Sequence, residues 1–290
     1  MVTQIIIHLM PYELDHFEWQ SKQFKLGSNF LSDTDKIIID ATLNLNLVDW
    51  DNSTLNKEFF INKFHQIKEL WDWAETKFDI DENNVCRGCD DKRRNSIRTS
   101  LADNILYLDS DIIFKPELLK YMLDAARAVP NEYYIISPQV YKLWDDSWDS
   151  LVNDKFINLK ASQDYTIIDP YKIVSHSTDA ITIKPINEFK FGGGWFNLLS
   201  TNLLKLTDIP DSFGPYGIDD LYVMICCNAL RSKGYDVYQY VLEGMIIAEN
   251  LKYRQDPYKN SLYLINKQSE FRIQAENNLQ EEVNKFINRV

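Results

Sequence analysis

Asn104-Ile-Leu-Tyr-Leu-Asp109-Ser-Asp111-Ile-Ile-Phe114 is the stretch on which the reading of this chain turns. An apolar run delivers the backbone to two carboxylates one residue apart, and the apolar pattern then resumes. Two like charges this close repel unless something positive sits beside them. A hard divalent cation does this well, because it takes carboxylate oxygens and keeps coordination sites for phosphate. At the end of a buried strand, such a pair would hold a metal where a pyrophosphate could join it. The same spacing recurs at Asp33/Asp35, Asp49/Asp51 and Asp79/Asp81. Those pairs lie in polar, turn-like surroundings and read as solvated loop or helix-end charges. Only Asp109/Asp111 is framed on both sides by a strand-like pattern.

The chain has 290 residues, 45% of them hydrophobic, enough for one sizeable α/β core. Its net charge of -12 and pI near 4.8 exclude a general nucleic-acid binder, which needs a basic footprint. Residues 4–10 lack the basic flank of a signal peptide and are too short to span a bilayer. They read as a first buried strand. No later stretch reaches spanning length without charge. The expectation is a cytoplasmic protein, peripheral at a membrane only through a substrate or partner. Cys86-Arg-Gly-Cys89 has the spacing of zinc and redox motifs. Cys226 and Cys227 are adjacent in an expected helix and diverge by about 100°, so they are poor company for a tetrahedral site. Reduced thiols are the expectation.

Strands are expected at 4–9, 36–43, 104–108, 133–137 and 235–248. Helices are expected at Glu58–Phe78, Asn95–Ala102, Pro116–Ala128, Leu198–Lys205, Asp219–Lys233 and Lys267–Asn288. Strands alternating with helices imply a mainly parallel sheet covered on both faces. The polar stretches 79–93 and 143–190 read as long loops carrying short elements, which in compact domains are more often functional than idle.

A second constellation lies at residues 191–220. Phe191-Gly-Gly-Gly194-Trp195 leaves the backbone unshielded before an aromatic that could hold the C–H face of a sugar; the competing reading is a turn and a core tryptophan. Farther on, Gly217-Ile-Asp219-Asp220 opens a helix whose apolar face is Leu221, Met224, Ile225 and Ala229. Acidic residues there are ordinary capping and dipole partners. The functional alternative is a carboxylate that takes a proton from a hydroxyl.

Together these features resemble the glycosyltransferases of the GT-A fold, a Rossmann-like single domain, and more narrowly the inverting family 2 and galactosyltransferase-like types. The resemblance spans the first strand to about residue 250. It implies a nucleotide-binding half (1–115) and an acceptor-binding half (116–250); residues 251–290, with their polar amphipathic tail, read as a C-terminal helical extension packed on the domain. By the same resemblance, Asp109, Ser110, Arg94, His8, Pro11 and Tyr12 would bind the sugar nucleotide. Asp111 and Asp109 would hold Mn2+ or Mg2+, and Asp220 would be the catalytic base. Asp219, Trp195, Gly193 and Gly194 would meet the acceptor. Two departures stand out. Relatives often place a histidine near the end of the domain as a metal ligand, where this chain has only Glu249 or Asn250 to substitute. Asp219 stands where Glu is usual.

The expected activity is metal-dependent transfer of a sugar from a UDP- or GDP-sugar to a hydroxyl of a glycan or glycolipid, with inversion. Trp144 and Trp148 are further candidates for holding sugar rings. A nucleotidyltransferase that makes sugar nucleotides would need a basic glycine-rich loop after the first strand, where this chain reads Met10-Pro-Tyr-Glu-Leu-Asp-His-Phe17. A non-catalytic carbohydrate-binding protein on the same fold is the other alternative.

Overall fold

The computed structural model describes residues 1–46, 50, 56–82, 88–141, 151, 153–155, 169–190, 194–250 and 262–290, with side chains of the last helix from 269 onward. Asp49, Asp51, Cys86, Gly192, Gly193, Trp144 and Trp148 lie outside the described residues.

The described strands are β1 (Val2–Leu9), β2 (Lys36–Asn44), β3 (Glu75–Asp81), β4 (Asn104–Leu108), β5 (Ile112–Ile113), β6 (Tyr133–Tyr141), β7 (Thr182–Ile186), β8 (Phe196–Ser200) and β9 (Val237–Glu249). The helices are α1 (Leu14–Gly27), α2 (Lys57–Lys68), α3 (Cys89–Thr99), α4 (Leu118–Ala128), α5 (Pro170–Val174), α6 (Thr201–Thr207), α7 (Asp219–Ser232) and α8 (Leu262–Arg289). All the strands join one sheet in the order β3-β2-β1-β4-β8-β6-β9-β5, with β7 also on β9. Strands β3, β2, β1 and β4 are parallel, as are β6 and β9, while β8 runs antiparallel between β4 and β6. The expected single α/β domain is what the chain forms.

Period-two alternation explains how the sheet is covered. Ile5, Ile7 and Leu9 face a core with Phe17 and Phe24 of α1, Phe64 of α2 and Leu119 of α4. Ile6, Ile105 and Tyr107 face the opposite core, with Ile97 of α3, Leu203 of α6, Val223 of α7 and Phe286 of α8. Among the described residues, no helix is long and apolar enough to cross a membrane.

Three expectations fail for physical reasons. The helix expected over Glu58–Phe78 stops at Lys68, and residues 75–81 form the edge strand β3. There Thr76, Phe78 and Ile80 turn partly inward while Glu75, Lys77 and Asp79 face solvent, a period of two rather than 3.6. The segment read as a helix at Leu198–Lys205 divides at Ser200: 196–200 is a fully buried strand, and the Ser200 hydroxyl then accepts from Leu203 N–H to cap α6. The side chain of Asp35 and the whole of Asp81, read as solvated, are buried. Asp35 pairs with Arg127, and Asp81 ends β3 at the C-terminal edge of the sheet.

Candidate active site

Strand β4 is buried throughout and ends at the Asp109-Ser110-Asp111 turn. Backbone bonds from several elements fix this turn. Asp109 N–H donates to Trp195 C=O at 2.9 Å, and Asn250 N–H donates to Asp111 C=O at 2.6 Å. From α1, Gln20 Nε2 donates to the carbonyls of Asp109 and Ile112, each at 3.0 Å. His16 Nε2 donates to the same Ile112 carbonyl at 3.1 Å, and Asn250 Nδ2 lies 3.4 Å from His16 Nδ1. The His16 ring is buried, and burial lowers it to about 4, so it is neutral.

Asp219 and Asp220 lie in the first turn of α7, whose cap is Ile218 with no side-chain cap bond. Asp220 Oδ1 accepts from Leu221 N–H at 2.7 Å, satisfying one donor of that first turn, while Asp219 turns toward α3. Asp219 is buried, and Arg93 of α3 reaches it with Nη1 at 2.9 and 3.1 Å from its two oxygens. The same guanidinium donates through Nη2 to Asp109 Oδ1 at 3.0 Å and lies over the Tyr107 ring at 4.6 Å. One arginine therefore joins the Asp-Ser-Asp turn to the Gly-Ile-Asp-Asp helix start.

Arg94, the arginine expected at the nucleotide, turns elsewhere. Successive helical residues diverge by about 100°. Its guanidinium donates to the carbonyls of Ile209, Pro210 and Gly214, each at 2.9 Å, and to Asp91. Arg94 is thus a strut for the segment before α7. The sequence carries no signal that separates the two: Arg93 and Arg94 each lie three or four residues from Asp90 and from Ile97, and both are buried.

Trp195 also needs correction. It is 5% exposed, packs in the core beside Phe196, and donates its indole N–H to Glu249 Oε1 at 3.1 Å. No ring face is left for a sugar, and the core reading prevails. Gly194 just before it has φ 76°, a left-handed conformation that suits glycine. Glu249 is buried at the end of β9, with Ile112 as its register partner, and so stands close to Asp111. Ser110 is buried in the turn; Pro11 and Tyr12 open a short 3-10 turn that follows β1.

His8 does line a cleft. The cleft, about 470 Å³, lies at the C-terminal edge of β1, β2 and β3 and includes Asp40, Asp81 and Lys92. Burial, then the charges of Lys92 and Arg93, lower His8 to about 4, so it is neutral and can accept at Nε2, 3.3 Å from Asn44 Nδ2. Asp40 and Lys92 form an ion pair within the cleft wall.

The site is crowded with acid. Burial and the Asp219 charge raise Asp220 to about 6, close to where a base working near neutrality should titrate. Burial also pushes up Asp109, against the pull of Arg93. Asp90, fully buried on α3, is raised by burial and by Asp219; Cys89 Sγ–H donates to its Oδ1 at 3.3 Å and its Oδ2 has no partner. The Cys89 thiol is itself raised by burial, which opposes both thiolate metal binding and redox reactivity.

No known family's sequence profile matches the chain, and no curated protein matches it. In outline it is similar to several solved structures. Glucosyl-3-phosphoglycerate synthase of M. tuberculosis shares 13% identity at a TM-score of 0.47, over 98% of this chain and 81% of that one. The same enzyme with phosphoglyceric acid bound shares 12% at 0.47, over 98% and 80%. TarS of S. aureus shares 14% at 0.45, over 86% of this chain and 36% of that one. At such scores the likeness says nothing of which reaction this chain performs.

Proposed function

We propose that this chain is a GT-A-type glycosyltransferase that moves a sugar from a nucleoside-diphosphate donor to a hydroxyl acceptor with inversion. The observation that supports it is the Arg93 bridge: carboxylates from the Asp109 turn and the Asp219 helix start meet on one guanidinium at 2.9–3.1 Å, while the cleft lined by His8 lies along β1, β2 and β3 on the Lys92 side of α3. The 1–115 half would bind the donor in that cleft, and the 116–250 half would present the acceptor.

In the reaction, the Asp220 carboxylate takes the acceptor hydroxyl proton as the oxygen bonds to the anomeric carbon. The bond from that carbon to the diphosphate oxygen breaks, and its electron pair leaves with the diphosphate. Arg93, fixed by two carboxylates, sets a permanent positive charge near the leaving group. Asp219 holds Arg93, and so acts on the acceptor only indirectly.

Among the described residues, no three His, Cys, Asp or Glu side chains converge into a protein-built metal cage. Asp109 is engaged by Arg93. The donor set fits instead a magnesium-type ion that arrives with the diphosphate and keeps most of its sites for phosphate and water, held by Asp111 with Glu249 adjacent. When bound, such an ion would neutralise charge on the leaving diphosphate.

The test is incubation with a panel of sugar nucleotides plus manganese or magnesium, reading release of nucleoside diphosphate. Release by the wild type that falls steeply in Asp220→Asn supports the reading. Equal release in the variant, or none with any donor, overturns it.

A further inference from the structure

The segment Ile209–Gly217, which feeds directly into Asp219 and Asp220, is gripped from two sides. On the α3 side, Arg94 binds three of its carbonyls, and Asp90 N–H donates to Pro215 C=O at 3.1 Å. On the other side lies α8. Asn278 Nδ2 and Gln274 Nε2 donate to the Ser212 carbonyl at 2.9 and 3.3 Å, and the Ser212 hydroxyl donates to Glu282 at 3.0 Å. Ala275 is fully buried against Gly217, so closely that a Cβ at 217 would sit 2.6 Å from the Ala275 methyl and 3.8 Å from Asp90 Oδ2. Gly217 is therefore wedged between two helices, two residues before the buried Asp219.

We propose that the Gln274–Ala275–Asn278 face of α8 is a positioning surface for the reacting carboxylates, setting the depth at which Asp219 and Asp220 enter the site. The inference deepens the transferase reading and rests on it for its kinetic arm. Its physical basis is leverage. Gly217 has no side chain to absorb movement, so a shift of α8 passes through the Gly217 backbone to the first turn of α7. Displacing a reacting group by about 1 Å can cost on the order of 100-fold in rate.

The experiment compares Asn278→Ala, which removes the bond to the Ser212 carbonyl and a second to the Gln274 carbonyl of its own helix, and Ala275→Val, which presses on Gly217, with Ile273→Ser on the outer face of α8, where Ile273 is 57% exposed. Amide hydrogen exchange, affinity for nucleoside diphosphate, and turnover against pH are read in each. The expected result has faster exchange confined to 209–222 in both test variants and nucleoside diphosphate affinity within about twofold. Turnover falls by about 10–100-fold, and its acid limb moves to lower pH as Asp220 loses burial. Ile273→Ser changes none of these. Normal turnover with normal exchange in folded Asn278→Ala overturns the proposal, as does faster exchange spread over all of α7 and α8. If Ala275→Val does not fold, Asn278→Ala decides alone. If the wild type transfers no sugar, the transferase reading fails while hydrogen exchange still decides whether α8 positions the segment.

Discussion

Arg93 and Asp219 meet across 126 residues of sequence, with both carboxylate oxygens within 3.1 Å of one guanidinium nitrogen. Both side chains are at most 10% exposed. A pair so deeply desolvated is a poor source of net stability, because its attraction offsets the cost of leaving water. Its value is in position: it ties α3 to the start of α7 and, through Asp109, to the end of β4.

Removing one partner exposes that relationship. Arg93→Ala leaves Asp219 buried and unpaired, and we expect a loss of about 3–5 kcal/mol in denaturant unfolding. Arg93→Lys keeps the charge but cannot reach Asp219 and Asp109 together, so stability should recover only in part while turnover stays low. A full return of both properties in Arg93→Lys would show that charge alone suffices.

Trp195→Phe keeps an aromatic ring in the core, with some loss of volume, and removes the indole N–H that Glu249 accepts. The buried acceptor then lacks that donor, at a cost of about 1–3 kcal/mol. The Michaelis constant for the acceptor should not change in the folded variant. A large rise in that constant without loss of melting temperature would restore the sugar-platform reading.

The pH dependence has opposite signs for activity and stability. Asp220 acts as a base only when ionised, so turnover should fall below about pH 6. For Asp90 and Asp220 the folded-state pKa lies above the unfolded value near 4. The folded state therefore binds more protons between the two values, and these groups make the protein less stable as pH rises through that window. Asp90→Asn should flatten the decline, raising the melting temperature at pH 8 and hardly changing it at pH 4. An unchanged slope would remove Asp90 from the account.

Asp111→Asn should abolish the manganese dependence of nucleoside diphosphate binding in calorimetry while leaving the melting temperature near that of the wild type. Asp109→Asn should instead cost stability, because its carboxylate is a partner of Arg93. Identical metal dependence in Asp111→Asn would remove that residue from the proposed ion site.

Local pattern accounts for much of what was legible in advance. The β4 run and its Asp-Ser-Asp turn were readable because a buried strand leaves a continuous apolar signature. The α7 helix was readable from its apolar spacing and from Gly234, which follows its end with φ 88°. Edge strand β3 was misread because its half-buried alternation is short and follows a true helix. Strand β8 was misread because a five-residue apolar run does not distinguish a buried strand from a helix.

The sequence by itself determined the α/β class, the placing of Asp109 and Asp111 at a strand end, and the start of a helix at Asp219 and Asp220. Each depends on contacts among neighbours in the chain. Only the tertiary structure decided that Arg93 rather than Arg94 enters the site, that Trp195 belongs to the core, and that α8 closes on Gly217. Those outcomes depend on the rotation of one helix and on partners more than a hundred residues away for Arg93 and Arg94. Adjacent arginines look alike in sequence; which is buried against Asp219 is set by packing of α3 between the sheet and α6 and α7.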